Sequence, residues 1–270
     1  MTSATPTPRE RYLAAYARLR EAEGRGAGGE AELLALPYLT TGPLATQWGV
    51  RARTYNRFVG AVLAPLARQK KRPLRVLDLG AGNGWLCYRL SLLGHRAVAC
   101  DVRCDTVDGL GAARPYTRHL QKPFGRIGST FEVLPFSAGS FDIALFNASV
   151  HYAEDLNAVL REAARVVEPG GRVAILDSPF YRRAATGDAM VLEKRRNTIV
   201  RYPGLAEDLL AVRSIEFLTA ETLKRAAGPA LVFQRYRVTY PLWYELRPWK
   251  ALISRARPPS RFDLWAAAVS

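Results

Sequence analysis

The turn Gly80-Ala81-Gly82-Asn83-Gly84 follows the apolar run Val76-Leu77-Asp78-Leu79 directly. Glycines in such a turn let a ligand approach the backbone, because no Cβ stands in the way. The spacing is G-x-G-x-G, whereas a dinucleotide fingerprint sets its third glycine one residue later. A second chemical group, Asp101, ends the next apolar run "AVACD", 21 residues beyond Gly80. A carboxylate at that place can accept both hydroxyls of a ribose. A third strand end carries Asn147 and His151 in "FNASVHY". Ligands of open α/β sheets lie outside the carboxyl ends of the strands, so these three segments form one site only if the strands run parallel and adjacent.

The elements needed for this are legible. "RVLDL" (75–79), "RAVAC" (96–100), "FDIALF" (141–146) and "RVAILD" (172–177) are short apolar runs of the kind buried in parallel sheets. A helix over 153–167 carries Leu156, Val159, Leu160, Ala163 and Val167 at helical spacing, and "EPGG" at 168–171 ends it. Another helix runs from the Thr219 cap to Gly228. The tail runs 231–240 and 262–269 suit an antiparallel hairpin. This alternation predicts a doubly wound α/β sheet whose last strand is antiparallel. Ahead of it, 9–21 places Tyr12, Leu13, Tyr16 and Leu19 on one helical face, "GRGAGGE" at 24–30 reads as a mobile turn, and 54–68 is a second amphipathic helix. "RQKKRP" then reads as a basic linker. Residues 1–72 are thus a helical N-terminal extension and 73–270 the core.

Composition bounds the partners. The 270 residues carry a formal charge of +15, with 49% hydrophobic and 23% charged residues. No run reaches the ~18 apolar residues of a membrane span, and "MTSATPTPRERYL" has no apolar leader region; a cytoplasmic location is the expectation. Cations crowd residues 51–75, where no acid occurs, and again the tail from Arg235 to Arg261. Either an anionic partner or a solvated basic surface accounts for them. Cys87, Cys100 and Cys104 have no metal or redox spacing and read as reduced and structural, with no metal site expected. "WYELRPWKALISRARPPSR" (243–261) is inserted where a short turn would do; its tryptophans and arginines suit a membrane or nucleic acid, or else packing against the helices of the sheet.

"VLDLGAGNG", "DV" at 101–102, "LPFSAGSFDIALFNASVHY" and "REAARVVEPGGRVAILD" are similar, in order and interval, to the successive motifs of class I S-adenosylmethionine-dependent methyltransferases, in particular the ubiquinone and menaquinone biosynthesis group. The resemblance covers about 74–178 and implies a Rossmann-like seven-stranded sheet. It implies that Asp78, Gly80, Ala81, Gly82 and Gly84 line the amino-acid end of the cofactor, with Asn147 nearby. It implies that Asp101 holds the ribose and Val102 packs on the adenine. Where the family has an aspartate in a "GDAExLPF"-like stretch, this chain reads "STFEVLPF", so Thr130 replaces it and Phe131 follows. The segment 103–128, broken by glycines and prolines, departs from the family's plain helix and strand and reads as irregular.

The implied function is methyl transfer to a small-molecule acceptor, anionic or lipophilic. His151 is the candidate general base, since imidazole titrates near neutrality; a histidine shaping the channel wall is the other reading. Trp48, Arg51, Arg53 and Tyr55, with Tyr181 and Arg182 after the fifth strand, are candidate acceptor contacts, and Arg51 or Arg53 suits a carboxylate of cofactor or acceptor. An RNA methyltransferase is the alternative suggested by charge, although "FNASVHY" is not the N/D-P-P-Y/F motif that orients a base amine. A non-catalytic S-adenosylmethionine-binding protein is the other alternative, against which the intact glycine turn and Asp101 argue.

Overall fold

The computed structural model describes residues 5–25 and 29–270. The "GRGAGGE" turn therefore lies partly outside the described residues. Helices α1 (Pro8–Ala22), α2 (Gly29–Ala35), α3 (Ala45–Phe58) and α4 (Ala64–Lys70) precede the first strand. Strands and helices then alternate: β1 (Arg75–Leu79), α5 (Trp85–Leu92), β2 (Arg96–Asp101), α6 (Arg114–Arg118), β3 (Gly125–Gly128) and β4 (Phe141–Asn147). They continue through α7 (Leu156–Val166), β5 (Val167–Leu176), α8 (Ala184–Arg201), α9 (Ala206–Ala211) and α10 (Ala220–Ala227). The tail holds β6 (Gln234–Tyr236), α11 (Leu242–Glu245), α12 (Arg247–Ile253) and β7 (Leu264–Ala268).

The sheet has seven strands in the order β3-β2-β1-β4-β5-β7-β6. Pairing is parallel from β3 to β5, while β7 runs antiparallel to both β5 and β6. The order reverses between β1 and β4, so the switch-point crevice opens above the ends of those two strands. β1 and β4 are buried on both faces, which is why their sequences are nearly continuous apolar runs.

Several boundaries differ from the pattern-based expectation, each for a physical reason. The helix expected over 54–68 runs from Ala45 to Lys70 with a π turn at Val59–Leu63. Pro65 has no N–H to give, and the wider turn just ahead of it absorbs that loss without ending the helix. This helix is no detached appendage: Trp48, Tyr55, Phe58, Val62, Leu63 and Leu66 share one core cluster with Val76, Ile143 and Ala174 of the sheet. The expected helix 153–167 begins at Leu156, where Asp155 accepts from the amides of Asn157 and Ala158, and ends at Val166. Val167 and "EPGG" belong instead to β5, with a register shift opposite Phe141–Ile143. Of the expected run 231–240, only Gln234–Tyr236 pairs. The irregular stretch 103–128 still supplies α6 and the edge strand β3.

The basic segment before β1 is tied to the bottom of the sheet. Arg72 grips the fully buried Asp142 with two bonds of 2.8 and 2.6 Å, the Arg75 amide adds a third at 2.7 Å, and Lys70 meets Glu168 at 2.5 Å. Burial works against the charge of Asp142, but these donors hold its carboxyl well below the ordinary range. Cys87 and Cys100 are buried, Cys104 is exposed, and all three are free thiols. Burial pushes the Cys100 thiol up to about 12. No helix among the described residues is long and apolar enough to cross a membrane.

Candidate active site

The glycine turn is built from backbone. Gly80, Gly82 and Gly84 all have positive φ, at 76°, 53° and 79°. The amides of Gly80 and Ala81 donate to the Cys100 carbonyl at 2.8 and 3.1 Å, which fastens the turn to the end of β2. A Cβ on Gly80 would stand 2.3 Å from the Ser149 Cβ and 3.2 Å from the Phe131 ring, so only hydrogen fits. Gly84 serves another purpose. A Cβ there would stand only 3.0 Å from the Phe124 ring, at the start of α5.

Asp101 does two jobs with its carboxylate. Its oxygens accept from the Gly82 and Arg103 amides, each at 2.8 Å, and so order the rim of the cavity. The remaining lone pairs are free for a ligand. Asp78 lies behind the turn, fully enclosed, with Oδ1 lacking any partner. Burial, reinforced by the neighbouring Asp101, pushes its carboxyl up to about 8. A ligand that carries positive charge there would draw both carboxyls toward their ionised form.

The cavity has a volume of about 160 Å³. Its floor consists of Gly80, Ala81, Gly82, Asp101, Val102, Phe131 and Asn147. The Asn147 Oδ1 is buried without a partner, and so is the Oε2 of Glu132, which lies beside Phe131. Ala148 and Asp177, the residues after β4 and β5, both adopt left-handed backbone with φ of 56° and 50°. Non-glycine residues pay for that conformation, and here both occurrences border the strand ends that face the crevice.

The roof comes from elsewhere in the chain. Helix α1 contributes Arg9, Tyr12, Leu13, Tyr16 and Arg20, and α3 contributes Trp48 and Arg51; Arg25 and Val212 complete it. Tyr16 is within 2.9 Å of the Tyr152 hydroxyl, and the guanidinium groups of Arg103 and Arg20 sit over its ring at 5.1 and 5.6 Å. Burial pushes the Tyr12 and Tyr16 phenols well above their ordinary range. Arg20 is paired with Asp108 at 3.0 Å, and Arg103 with Asp105 at 2.9 Å while lying 3.8 Å from Asp108. Arg51 and Arg25 stack on the Trp48 ring at 4.9 and 5.8 Å, and neither has an acidic partner among the described residues. Arg25 is nine-tenths buried with an orphaned Nε; burial, then Arg51 and Arg20, push it down to about 10. An anion between these two guanidinium groups would relieve that cost.

The expected site residues divide accordingly. Gly80, Ala81, Gly82, Asp101, Val102, Phe131, Asn147, Trp48 and Arg51 meet at the cavity. Asp78 and Gly84 support it from behind. Thr130 is half-buried and absent from the lining, where Phe131 and Glu132 stand instead. Tyr55 packs edge-on against Trp85 at 5.7 Å, inside the core. Arg53 points along α3 to the Thr239 carbonyl at 3.3 Å. Tyr181 is buried and bonded to Arg257 at 2.7 Å, and Arg182 is exposed. His151 also stays off the lining. Its Nδ1 lies 3.3 Å from the Ser178 Oγ and its ring packs 4.3 Å from that of Tyr152, which does line the cavity. Burial, then Lys194 and Arg51, push the His151 imidazole down to about 3. At neutral pH it is uncharged and a weak base.

Of the roof, pattern reading named Trp48 and Arg51 and missed the part that α1 supplies. The face Tyr12–Tyr16 was legible as an amphipathic stripe, but its tyrosines were the signal: a stripe that only packs a core is usually aliphatic. Asp177 was also missed; it is buried with neither oxygen bonded, and burial pushes it up to about 6 against Arg51.

Residues 77–175 match the family described as a methyltransferase domain. The sheet order and the glycine turn that ends β1 are in keeping with that match. Among curated proteins, the chain is 32% identical over 136 residues to the malonyl-(acyl-carrier protein) O-methyltransferase of Erwinia billingiae, covering 48% of this chain and 51% of that protein. It is 32% identical over 154 residues to the ubiquinone/menaquinone biosynthesis C-methyltransferase UbiE of Nitrobacter hamburgensis, covering 48% and 60%. The chain thus spans about half the length of the curated relatives it matches. A solved structure, the 1,6-didemethyltoxoflavin-N1-methyltransferase of Burkholderia thailandensis with bound 1,6-didemethyltoxoflavin and S-adenosylhomocysteine, shares the fold over 100% of this chain and 93% of its own, with a TM-score of 0.53 at 18% identity.

Proposed function

We propose that this chain moves a methyl group from S-adenosylmethionine to a small-molecule acceptor, with an anionic or lipophilic acceptor fitting best. The observation that carries the reading is a roofed cavity with a carboxylate-backed glycine floor and an aromatic, arginine-bearing roof. When bound, S-adenosylmethionine supplies a methyl group already activated by its sulfonium. The floor residues suit it: Asp101 for the ribose hydroxyls, Asn147 and the enclosed Asp78 for the positive amino-acid end, and Phe131 for the adenine face. Glu132, with its unbonded oxygen, takes the place of the family's aspartate as acceptor for the adenine amine. Either Arg51 or Arg25 suits a carboxylate.

With the methyl group activated in advance, the protein's task is positioning and exclusion of water. Tyr12, Tyr16 and Tyr152, whose hydroxyls stay protonated, do this with Trp48 by walling the acceptor side. His151 is assigned to hold Tyr152 in place, since an imidazole of such low basicity fits poorly the general-base role first expected of it. A roofed cavity supports a small acceptor over a duplex or folded RNA. Of the cations in 51–75 and the tail that prompted the RNA alternative, Lys70, Arg72 and Arg75 are engaged with Asp142 and Glu168 at the opposite end of the strands.

Radiolabelled S-adenosylmethionine tests this directly. Label is expected in quinol, phenol or carboxylate acceptors from a small-molecule panel. Transfer into total RNA alone would overturn the reading. Tight S-adenosylhomocysteine binding without transfer to any acceptor would favour the non-catalytic alternative.

A further inference from the structure

The segment between β6 and β7 is a helical pair whose two faces differ sharply. One face turns inward: Tyr244 stacks on Tyr240 at 3.9 Å, Arg247 sits 3.5 Å over the Tyr244 ring, and Ala251 is buried. The other face carries Leu242, Leu246, Trp249 and Ile253, an i, i+4, i+7, i+11 stripe. Here Trp249 is 65% exposed, Leu252 beside it 70% and Ile253 85%. The inner contacts already fix these helices, so the outer stripe adds nothing to folding and costs solvation.

Charge identifies what the stripe meets. Between Leu242 and Arg261 the single acid is Glu245, and Arg261 takes it with bonds of 2.7 and 2.9 Å. Lys250 and Arg255 flank the stripe, exposed and without an acidic partner among the described residues. Aliphatic side chains and tryptophan ringed by free cations match the boundary of an anionic bilayer, where the apolar groups enter the acyl layer and the cations reach the headgroups. Leucine and isoleucine offer a nucleic acid no stacking surface.

The position matters as much as the composition. Both β5 and β6 run antiparallel to β7, so the helical pair lies at the same end of the sheet as the glycine turn. It is tied to α3 through the Arg53–Thr239 and Thr54–Tyr240 bonds, and α3 lines the cavity with Trp48 and Arg51. We propose that the outer face of α11–α12, tied to the helix that lines the cavity, docks this protein on an anionic phospholipid surface. The docking stands whether or not the acceptor is lipophilic.

Flotation of the full chain with vesicles tests it. Protein is expected on vesicles of phosphatidylcholine with one-third phosphatidylglycerol and not on phosphatidylcholine alone, with a blue shift of tryptophan emission. Both W249S/I253S and K250E/R255E are expected to weaken binding by roughly tenfold or more, since burying one such side chain is alone worth about a factor of ten. Unchanged circular dichroism and S-adenosylhomocysteine affinity in these variants separate docking from folding and from the methyltransferase reading. Equal binding to both vesicle types, or wild-type binding by both variants, overturns the proposal. So does a wild-type dimer that W249S/I253S converts to monomer, or an RNA affinity lost in K250E/R255E while vesicle binding persists.

Discussion

The floor and the roof of the cavity are made in different ways. The floor uses backbone amides, missing Cβ atoms and a few carboxylates from β1, β2 and β4, all within one stretch of about a hundred residues as the family match delimits it. Its key contacts are between adjacent parallel strands, so forming the sheet forms the site. The roof uses long side chains from α1, α3 and the segment after α9, which meet only when distant parts of the chain have docked; α1 rests on α9 through pairs such as Arg11–Asp208 at 3.0 Å. A floor made of backbone can be rigid and general, whereas a roof made of side chains is free to change with the acceptor. The proposed function assigns cofactor binding to the first and acceptor choice to the second.

The contrast can be broken most forcefully at Gly80. Gly80→Ala puts a Cβ 2.3 Å from that of Ser149 and imposes left-handed strain on alanine, so S-adenosylhomocysteine affinity measured by calorimetry is expected to fall about a hundredfold or more. Retention of micromolar binding would mean the turn is not the cofactor floor. Asp101→Ala removes the acceptor of two rim amides as well as the ribose contact, a loss of roughly ten- to a hundredfold in the same titration. NADH run alongside should give no heat; binding of NADH in place of S-adenosylhomocysteine would overturn the cofactor assignment.

Arg72→Ala sharpens the comparison from outside the site. It strips the two-point partner from the fully buried Asp142 but leaves the Arg75 amide bonded. Because Arg72 itself is partly solvated, the expected loss of stability is about 1–2 kcal/mol, read from denaturant melts. Cofactor affinity should not move; if it falls with stability, floor and foundation are not separable. Roof and floor can also be told apart by hydrogen exchange. S-adenosylhomocysteine should slow the amides of α1 and α9 by roughly tenfold while leaving the already protected β1 and β4 unchanged. Equal protection of all four would make the roof as rigid as the floor.

A pH-dependent effect concerns His151. Its imidazole titrates near 6.5 in the unfolded chain and at about 3 in the folded one. Between those values the unfolded state binds more protons, so the stability that neutral His151 contributes is complete above 6.5 and drains away as pH falls toward 3. His151→Asn should flatten that acid limb in thermal melts recorded across the window. An unchanged slope would place the acid sensitivity in other groups.

What the sequence determined by itself is the floor. The turn at 80–84, the carboxylate at 101 and the runs that become β1, β2, β4 and β5 are local patterns, and parallel pairing converts them directly into a site. Legible too was that an antiparallel hairpin ends the sheet. Only the tertiary structure decided which side chains face the cavity from outside that stretch. Tyr55 and Trp48 sit seven residues apart on the same helix and both pack edge-on against Trp85, yet only Trp48 also lines the cavity. His151 and Tyr152 are neighbours in sequence, and only the tyrosine reaches the lining. Composition predicted neither outcome, because burial of an aromatic ring satisfies the same hydrophobic pattern whether the space beyond it holds protein or ligand. That distinction is made by long-range docking of α1, α3 and α9, and no local spacing encodes it.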